Sequence, residues 1–247
     1  MNRQTILKKL AAFTANAKDA PTGTNREVFR YLYFTGHEVV ATDAHWLAIL
    51  KDELTENPHY EDANGSKVNL PNPYPDYRRI LIPRDQIGWE YVFPEEADIL
   101  QRLKHLFTGM ASAVKDTSFN KRPSVLIHKS ENLELFSACK ELQIHTQLLS
   151  GLTDPFTFEG YYFLSYLIKA FDFLGAAGGG KVRLYVPKRG VPKAGPLLTL
   201  ETPRALVLGG PVGMERVTIN PVQDFVKQLD KPAQDDKQAD TDLDFLD

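Results

Sequence analysis

The alternation between helical and strand-like patterns, which occurs three times, constrains the fold of this chain more than any other feature. Apolar residues recur with the spacing of one helix face over residues 4–17, 95–115 and 157–175. Each stretch is followed by shorter runs rich in branched and aromatic residues, which predict strands. Helices backed by antiparallel strands are typical of the α+β class. The sequence therefore predicts an α+β fold with three loose structural repeats.

Short strands are predicted after each helix, and one long polar segment interrupts the strands that follow the first helix. Residues 52–76 contain Asn64-Gly65 and several prolines, so they predict a loop with little core material. The predicted strands cover 27–34, 38–50, 77–83, 123–129, 132–139, 142–149, 181–187, 196–201 and 204–208.

Composition and charge narrow the classes of function. The 247 residues are 43% hydrophobic and 25% charged, which is typical of a globular protein with enough apolar material for two small domains or one large one. The net charge of −3 gives no overall basic field, so nucleic-acid binding would need a local basic surface. No apolar run approaches the ~18 residues of a membrane span, and we expect a cytoplasmic protein.

Disulfides, metals and nucleotides are not expected. The single cysteine, Cys139, cannot form an intrachain disulfide or a cysteine zinc site, and the six histidines lack metal-ligand spacing. Gly175–Lys181 has the spacing of a P-loop, but Val182 stands where a P-loop needs a hydroxyl. We therefore expect no cofactor and no bound metal.

The segment Val40–Ala48 reads Val-Ala-Thr-Asp-Ala-His-Trp-Leu-Ala and carries the first notable polar residues. It suits a strand with one polar corner at Thr42-Asp43. The alternative is an acid/base pair of Asp43 and His45, as in a hydrolase. No serine or cysteine nucleophile is placed nearby, so we expect no enzyme and assign no catalytic residue.

Two further segments are weak signals when taken singly. Tyr74–Pro83 places two arginines beside tyrosines, which suits contacts to phosphates or carboxylates, or simply a solvated start of a strand. Leu206–Val212 contains Gly-Gly-Pro after an apolar run, which indicates a strand entering a turn.

Together and in this order, the segments resemble the bacterial sliding clamps, the beta subunits of the replicative DNA polymerase. That family carries Ala-Thr-Asp-Gly-His-Arg-Leu-Ala, then Phe-Pro-Asp-Tyr-Arg-Arg, then a strand containing Met-Pro. The matching segments here are Ala41–Ala48, Tyr74–Arg79 and Leu208–Val212, and Phe158–Ala170 is similar to a helix of the family's last domain. The resemblance covers roughly residues 4–212. It implies DNA-clamp-like repeats of one helix backed by antiparallel strands.

The resemblance implies a groove that binds partner peptides of Gln-Leu-x-Leu-Phe character, from polymerases and repair proteins, in an apolar pocket. The residues carried over to this groove are Thr42, Ala44, His45, Trp46, Leu47, Pro75, Arg79, Ile80, Leu208, Pro211 and Val212.

It also implies helices that line a channel and contact the phosphates of duplex DNA without sequence specificity. Alternatively, these basic residues serve only solubility. The candidates are Arg3, Lys8, Lys9, Arg102, Lys104, Lys115, Lys121, Arg122 and Lys169.

Several features depart from the family. Ala44 replaces a glycine, Trp46 an arginine and Gly210 a methionine, and the tryptophan would either deepen or fill the pocket. The pattern further predicts that the family's first domain and one half-domain are missing, the latter replaced by the polar loop. The implied domains are a shortened middle-like domain over 1–90 and a last-domain-like unit over 91–220.

The acidic residues 221–247 are predicted to form a disordered tail, because they contain little apolar material. Near its end Leu243, Phe245 and Leu246 either mimic a clamp-binding peptide, recruit replication partners or are merely solvated.

Two hypotheses follow. The first is a phage-like or mobile-element-like clamp that tethers a polymerase or repair protein to duplex DNA, with a homo-oligomeric ring as one option. The second is a clamp mimic or regulator that binds the replication machinery without encircling DNA.

Overall fold

The computed structural model describes residues 2–51, 57–93, 99–113, 123–129, 132–138, 143–149, 158–178, 180–188 and 197–211. The described helices are α1 (Arg3–Leu10), α2 (Ile99–Ala113) and α3 (Leu164–Ala177). Short 3-10 helices cover Ala11–Phe13, Glu27–Arg30, Tyr77–Ile80 and Arg84–Gln86. No described helix has both the length and the apolar character to cross a lipid bilayer.

The strands form two antiparallel sheets. In chain order they are β1 (Leu32–Phe34), β2 (Glu38–Thr42), β3 (Trp46–Lys51), β4 (His59–Glu61), β5 (Lys67–Val68), β6 (Ile87–Val92), β7 (Pro123–Lys129), β8 (Asn132–Ala138), β9 (Gln143–Leu149), β10 (Phe158–Phe163), β11 (Arg183–Pro187), β12 (Leu198–Glu201) and β13 (Ala205–Gly209). The nine-stranded sheet has the order β5-β4-β1-β2-β3-β13-β12-β11-β6, and the four-stranded sheet has the order β10-β7-β8-β9.

The strand that precedes each of the helices α2 and α3 pairs with a strand that follows the other helix. Strand β6 precedes α2 but pairs with β11, which follows α3. Strand β10 precedes α3 but pairs with β7, which follows α2. The segments from β6 to β9 and from β10 to β13 are therefore interlocked. Strand β1, the first strand after α1, pairs with β4 from the polar loop.

The central strands bury both faces, which explains their almost continuous apolar sequence. On β3, Trp46, Ala48 and Leu50 face the core that contains the helices, whereas Leu47 and Ile49 belong to a second cluster on the other face. This alternation follows from the two-residue period of a strand. We call the second set, namely Val40, Leu47, Ile49, Leu206 and Leu208, the outer apolar cluster.

Helix α3 lies at the centre of the helix layer. It packs against both α1 and α2. Phe173 meets Phe13, just after α1, edge to face at 6.0 Å. Phe171 stacks on Phe107 of α2 at 5.1 Å. These aromatic contacts hold the three helices as one layer over the sheet.

Most predicted elements are confirmed, and several are corrected. Helix α1 ends at Leu10 rather than at residue 17, the strand predicted over 38–50 divides into β2 and β3, and β6 was not predicted. Residues 158–163 form strand β10 rather than the start of a helix, because their aromatic side chains favour a strand and pairing with β7 is available. Residues 27–30 form a 3-10 helix before β1, and Tyr77–Ile80 is likewise a 3-10 helix rather than extended. The polar loop contains β4 and β5, joined by a turn in which Gly65 has φ +85°.

Candidate partner-binding cleft and basic helix layer

The turn between β2 and β3 is held by its own polar side chains. The Thr42 hydroxyl donates to the Trp46 carbonyl at 2.6 Å and accepts from the Ala44 N–H at 3.0 Å. One carboxylate oxygen of Asp43 accepts from the N–H groups of His45 and Trp46, each at 2.9 Å. Ala44 has φ +73° here, the sole non-glycine with positive φ among the described residues. The predicted polar corner is therefore confirmed as a tight turn.

Helix α3 is fastened to this turn through Tyr166. The tyrosine hydroxyl donates to the second carboxylate oxygen of Asp43. Its ring stacks on Trp46, with centroids 5.3 Å apart and planes 1° from parallel. Burial and the neighbouring Asp43 carboxylate raise the pKa of Tyr166 well above its usual value. Asp43 is thus a structural acceptor, and no hydrogen bond joins its carboxylate to the His45 ring, so the arrangement gives the acid/base pair no support.

A cleft of about 500 Å³ opens beside the turn. Asp43, Ala44 and His45 line one side, Tyr166 lines another, and residues from the 15–29 segment complete it. We call this site the turn cleft. Two of the residues predicted for a peptide groove, Ala44 and His45, lie in it.

The outer apolar cluster adjoins the turn but is covered. Strand pairing sets Thr199, Leu208, Leu47 and Thr42 in one row across β12, β13, β3 and β2. Leu47 and Leu208 are only 1% and 2% exposed. Both leucines were predicted to line the groove, but in this structure other side chains cover them.

The cover comes from the segment that follows β5. Tyr74 and Tyr77 pack against the outer apolar cluster, and Tyr74 also stacks on Tyr33 at 4.8 Å. Burial of its hydroxyl raises the pKa of Tyr74 strongly, and that hydroxyl has no hydrogen-bond partner. The predicted groove residues on this segment are more accessible: Pro75 and Arg79 are exposed, and Ile80 is 47% exposed.

Trp46 lies on the opposite face of the sheet, so it neither deepens nor fills an outer pocket as the sequence suggested. Its ring is 2% exposed and packs on Tyr166 and edge to face on Tyr162 at 6.3 Å. A Cβ at Gly209 would come within 2.4 Å of the Trp46 ring. Glycine at 209 is therefore what allows the tryptophan to lie flat against β13.

The end of β13 leads back to the turn cleft. The Gly210 N–H donates to the carbonyl of His45 at 3.0 Å. Pro211 follows at the edge of the described residues, and Val212 lies outside them. The chain thus leaves the sheet directly beside the turn.

The described part of the helix layer is strongly basic. Helices α1, α2 and α3 carry six lysines or arginines and one aspartate, a net of +5, whereas the whole chain carries −3. Asp172 accepts from both Lys9 and Lys104, which joins all three helices. Partial burial opposes the charged form of Asp172, but the hydrogen bonds from the two lysines prevail and lower its pKa.

The other predicted DNA contacts lie around this ion-paired centre. Lys8 and Arg102 are exposed, and the Arg3 guanidinium lies 5.9 Å from the Phe34 ring centre. Lys169 donates to the Ala12 carbonyl at 3.0 Å. The remaining candidates, which lie outside the described residues, are Lys115, Lys121 and Arg122. The tail residues Leu243, Phe245 and Leu246 also lie outside the described residues.

Sequence reasoning missed most of the residues that line the turn cleft, among them four with large side chains. Lys18, Arg26 and Phe29 come from a polar stretch without regular periodicity, and Tyr166 reads as one more aromatic of α3. Nothing local in the sequence distinguishes them. Their proximity arises because α3 and the 15–29 segment both pack around the β2–β3 turn.

Comparison with solved structures identifies the fold. The DNA polymerase III beta subunit of Borrelia burgdorferi matches with a TM-score of 0.60 and 15% identity over 85% of this chain and 62% of its own. The Bacillus subtilis sliding clamp matches with a TM-score of 0.62 and 13% identity over 85% and 62%. The Helicobacter pylori beta clamp, solved with a DNA ligase peptide, matches with a TM-score of 0.57 and 15% identity over 85% and 63%.

These matches show the sliding-clamp fold, with this chain spanning less than two thirds of each clamp's length. No protein-family model and no curated protein matches the sequence.

Proposed function

We propose that this chain, which has the sliding-clamp fold, is a clamp-like accessory protein of DNA replication that holds polymerase or repair partners on duplex DNA. It performs no chemistry of its own. The observation that carries the proposal is the net charge of +5 on the three described helices of a chain whose total is −3. Such a surface attracts phosphates without reading bases.

The distribution of charge supports a contact made by one face. The helices lie on one side of the nine-stranded sheet, and the positive residues are spread over all three of them. Because the rest of the chain is net negative, the protein presents its helix layer to DNA and keeps its other surfaces away from it.

The partner site proposed here is the turn cleft; the predicted groove residues Pro75, Arg79 and Ile80 are accessible but do not line it. The H. pylori clamp was solved with a DNA ligase peptide, which supports a peptide as the kind of partner. Ala44 and His45 supply one wall of the cleft, and Phe29 and Tyr166 line other parts of it. An apolar peptide side chain packs well in such a setting.

The domain organisation is also a proposal. The strand orders β6-β11-β12-β13 and β10-β7-β8-β9 suit two copies of one unit, each with a helix, which together form the last-domain-like part. Because β6 belongs with α2, its start at Ile87 is a more natural boundary than residue 90. The part before it, with α1 and β1–β5, is the shortened middle-like domain.

A second candidate function is a clamp mimic or regulator that does not encircle DNA. It is favoured by the β4–β5 hairpin, in which β4 pairs with β1. In the rest of the chain the corresponding positions are filled by β6, which pairs with β11, and by β10, which pairs with β7. A strand of two residues at the end of the sheet offers little to a neighbouring copy. A cytoplasmic location and a phage-like origin suit either candidate.

Two measurements test the first candidate. Light scattering on the purified chain gives its mass, and retention on closed circular DNA against linear DNA reports encirclement.

We expect Lys8→Glu with Arg102→Glu to weaken DNA binding about tenfold or more at low salt. The matched control is Lys188→Glu, an exposed lysine at the end of β11 outside the helix layer. Equal losses in both variants would refute a helix-face contact, and a monomer that binds DNA without topological retention would favour the second candidate.

A further inference from the structure

Each of the three described helices is followed by three strands that pair in order. The units are α1 with β1–β3, α2 with β7–β9, and α3 with β11–β13. In every unit the first strand also pairs with a strand from outside the unit, namely β4, β10 and β6. The three units are thus alike up to their third strands, which are β3, β9 and β13.

Two of the three third strands pair with each other. Strands β3 and β13 form an antiparallel ladder of five residue pairs, from Trp46 opposite Gly209 to Leu50 opposite Ala205. This ladder joins the first unit to the third within one nine-stranded sheet. Because the number of units is odd, one third strand is left over in a single chain. That strand is β9, which pairs with β8 and with no other described strand.

The sequence of β9 favours further pairing. A free strand edge exposes unpaired N–H and C=O groups, and proteins commonly protect it with charges, proline or a short length. Strand β9 (Gln143–Leu149) reads Gln-Ile-His-Thr-Gln-Leu-Leu, without aspartate, glutamate, lysine, arginine, proline or glycine. Its ladder with β8 is regular over the five residues 143–147, the same length as the ladder between β3 and β13. His145 and Gln147 are exposed on this strand.

The other edge strands of the described sheets are less suited to pairing with a copy of themselves. Strand β5 has two residues. Strand β6 contains Gly88 and Glu90, and strand β10 contains Glu159 and Gly160. Glycine weakens a strand, and a carboxylate in each copy adds repulsion to a symmetric ladder. Strand β9 has neither feature.

We propose that β9 pairs antiparallel with β9 of a second copy of this chain, so that the four-stranded sheet continues across a two-fold axis. Such an interface uses the same surface in both chains, as in most symmetric dimers. Because β9 carries no acidic, lysine or arginine residue, no register places two such charges opposite each other. The pairing occupies the open third strand of both chains, so the assembly ends at two copies.

The dimer goes beyond the proposed function and forms or fails to form without DNA. Where it forms, it joins six helix-and-strand units and brings two basic helix layers into one assembly.

The first measurement is the mass of the full chain by sedimentation equilibrium and light scattering, without DNA. An interface made largely by one strand is small, so we expect a dissociation constant of about 1–100 µM. The mass should rise with concentration from 27.8 kDa toward twice that value and then remain constant.

Lysines placed on the edge locate the interface. Gln143→Lys with Gln147→Lys should weaken the dimer about tenfold or more, because both copies then carry cations along the paired edge. The matched control is Val92→Lys, on edge strand β6 at a side chain that is 45% exposed, and it should leave the dissociation constant unchanged.

A charge exchange separates loss of the interface from damage to the fold. Gln143→Glu with Gln147→Glu should also dimerise poorly on its own. An equal mixture of the lysine and glutamate variants should form a heterodimer, since opposite charges now face each other across the axis. Recovery on mixing requires that both variants are folded.

Three results would overturn the proposal. One is a wild-type mass of 27.8 kDa at every concentration, which would leave the edge of β9 to a strand of another protein. Another is an oligomer of three or more copies. The third is a dimer that Val92→Lys disrupts and the β9 lysines do not. None of these masses measures the contact of the helix layer with DNA, so that contact can stand when the dimer fails.

Discussion

Replacing Asp172 by asparagine is the sharpest test of how the helix layer works. Asp172 is bonded to Lys9 of α1 and Lys104 of α2, and the three side chains are 25–28% exposed. Pairs this accessible are partly screened, so each contributes about 0.5–1 kcal/mol. We expect Asp172→Asn to lower the free energy of unfolding by about 1–2 kcal/mol, because both pairs are lost together.

The same change should strengthen DNA binding. It raises the net charge of the three helices by one and releases two lysines from an internal partner. Each lysine that gains a phosphate steepens the plot of log affinity against log salt by about 0.9. We expect a slope steeper by about one to two and an affinity about three- to tenfold higher at low salt. A variant that is less stable yet binds more tightly is hard to explain by general damage.

The pH dependence of stability gives an independent check. The pKa of Asp172 is lowered in the folded protein, so its contribution is present above the unfolded pKa and is lost as pH falls through the folded value. The stability difference between wild type and Asp172→Asn should thus be complete above about pH 5 and shrink below about pH 4. Urea unfolding at several pH values measures it.

The control is Asp76→Asn, which removes the same charge from an exposed pair with Arg79. This pair lies on the segment over the outer face, away from the helices. We expect its stability to change by less than about 0.5 kcal/mol and its DNA affinity to stay the same. Equal gains in DNA affinity in both variants, or no gain in Asp172→Asn, would refute the reasoning.

Three smaller predictions concern the turn and its surroundings. Ala44→Gly should stabilise the chain by about 0.5–1 kcal/mol in urea unfolding, since Ala44 has φ +73°; a loss of stability would mean that its methyl group packs. Tyr166→Phe should cost about 1–2 kcal/mol through the lost bond to Asp43. Because the raised pKa of Tyr166 makes its contribution fade above about pH 10, this variant should lose less stability than wild type there; an identical alkaline decline would contradict the assignment. Tyr74→Phe removes a buried hydroxyl without a partner and should be neutral or stabilising by thermal unfolding, whereas a loss above about 1 kcal/mol would reveal an unseen bond.

The site was harder to predict than the elements that form it. The β2–β3 turn was readable because the bonds that close it, from Thr42 and from one oxygen of Asp43, reach only residues within four positions. Tyr166 was not readable as part of the site, since 123 residues separate it from Asp43. The sequence left open whether Trp46 deepens or fills the implied pocket, because only the packing along β3 shows which face of the sheet carries its ring.

The local elements of this protein can be predicted from its amino-acid sequence. The helical stripes of α1 and α2, the strands around 123–149 and the polar turn follow from spacing, propensity and short-range hydrogen bonds. The order of the clamp-like segments along the sequence also indicated the clamp-like fold. These features depend on interactions between residues a few positions apart, so the local sequence is enough to predict them.

How those elements combine is visible in the three-dimensional structure and not in the sequence. It set β6 beside β11 and β10 beside β7, placed β4 of the polar loop beside β1, and brought lysines of two helices to Asp172 of the third. Strand partners and charge clusters depend on contacts between residues far apart in sequence. Their free energies become available only when the whole layer packs, so no local pattern encodes them.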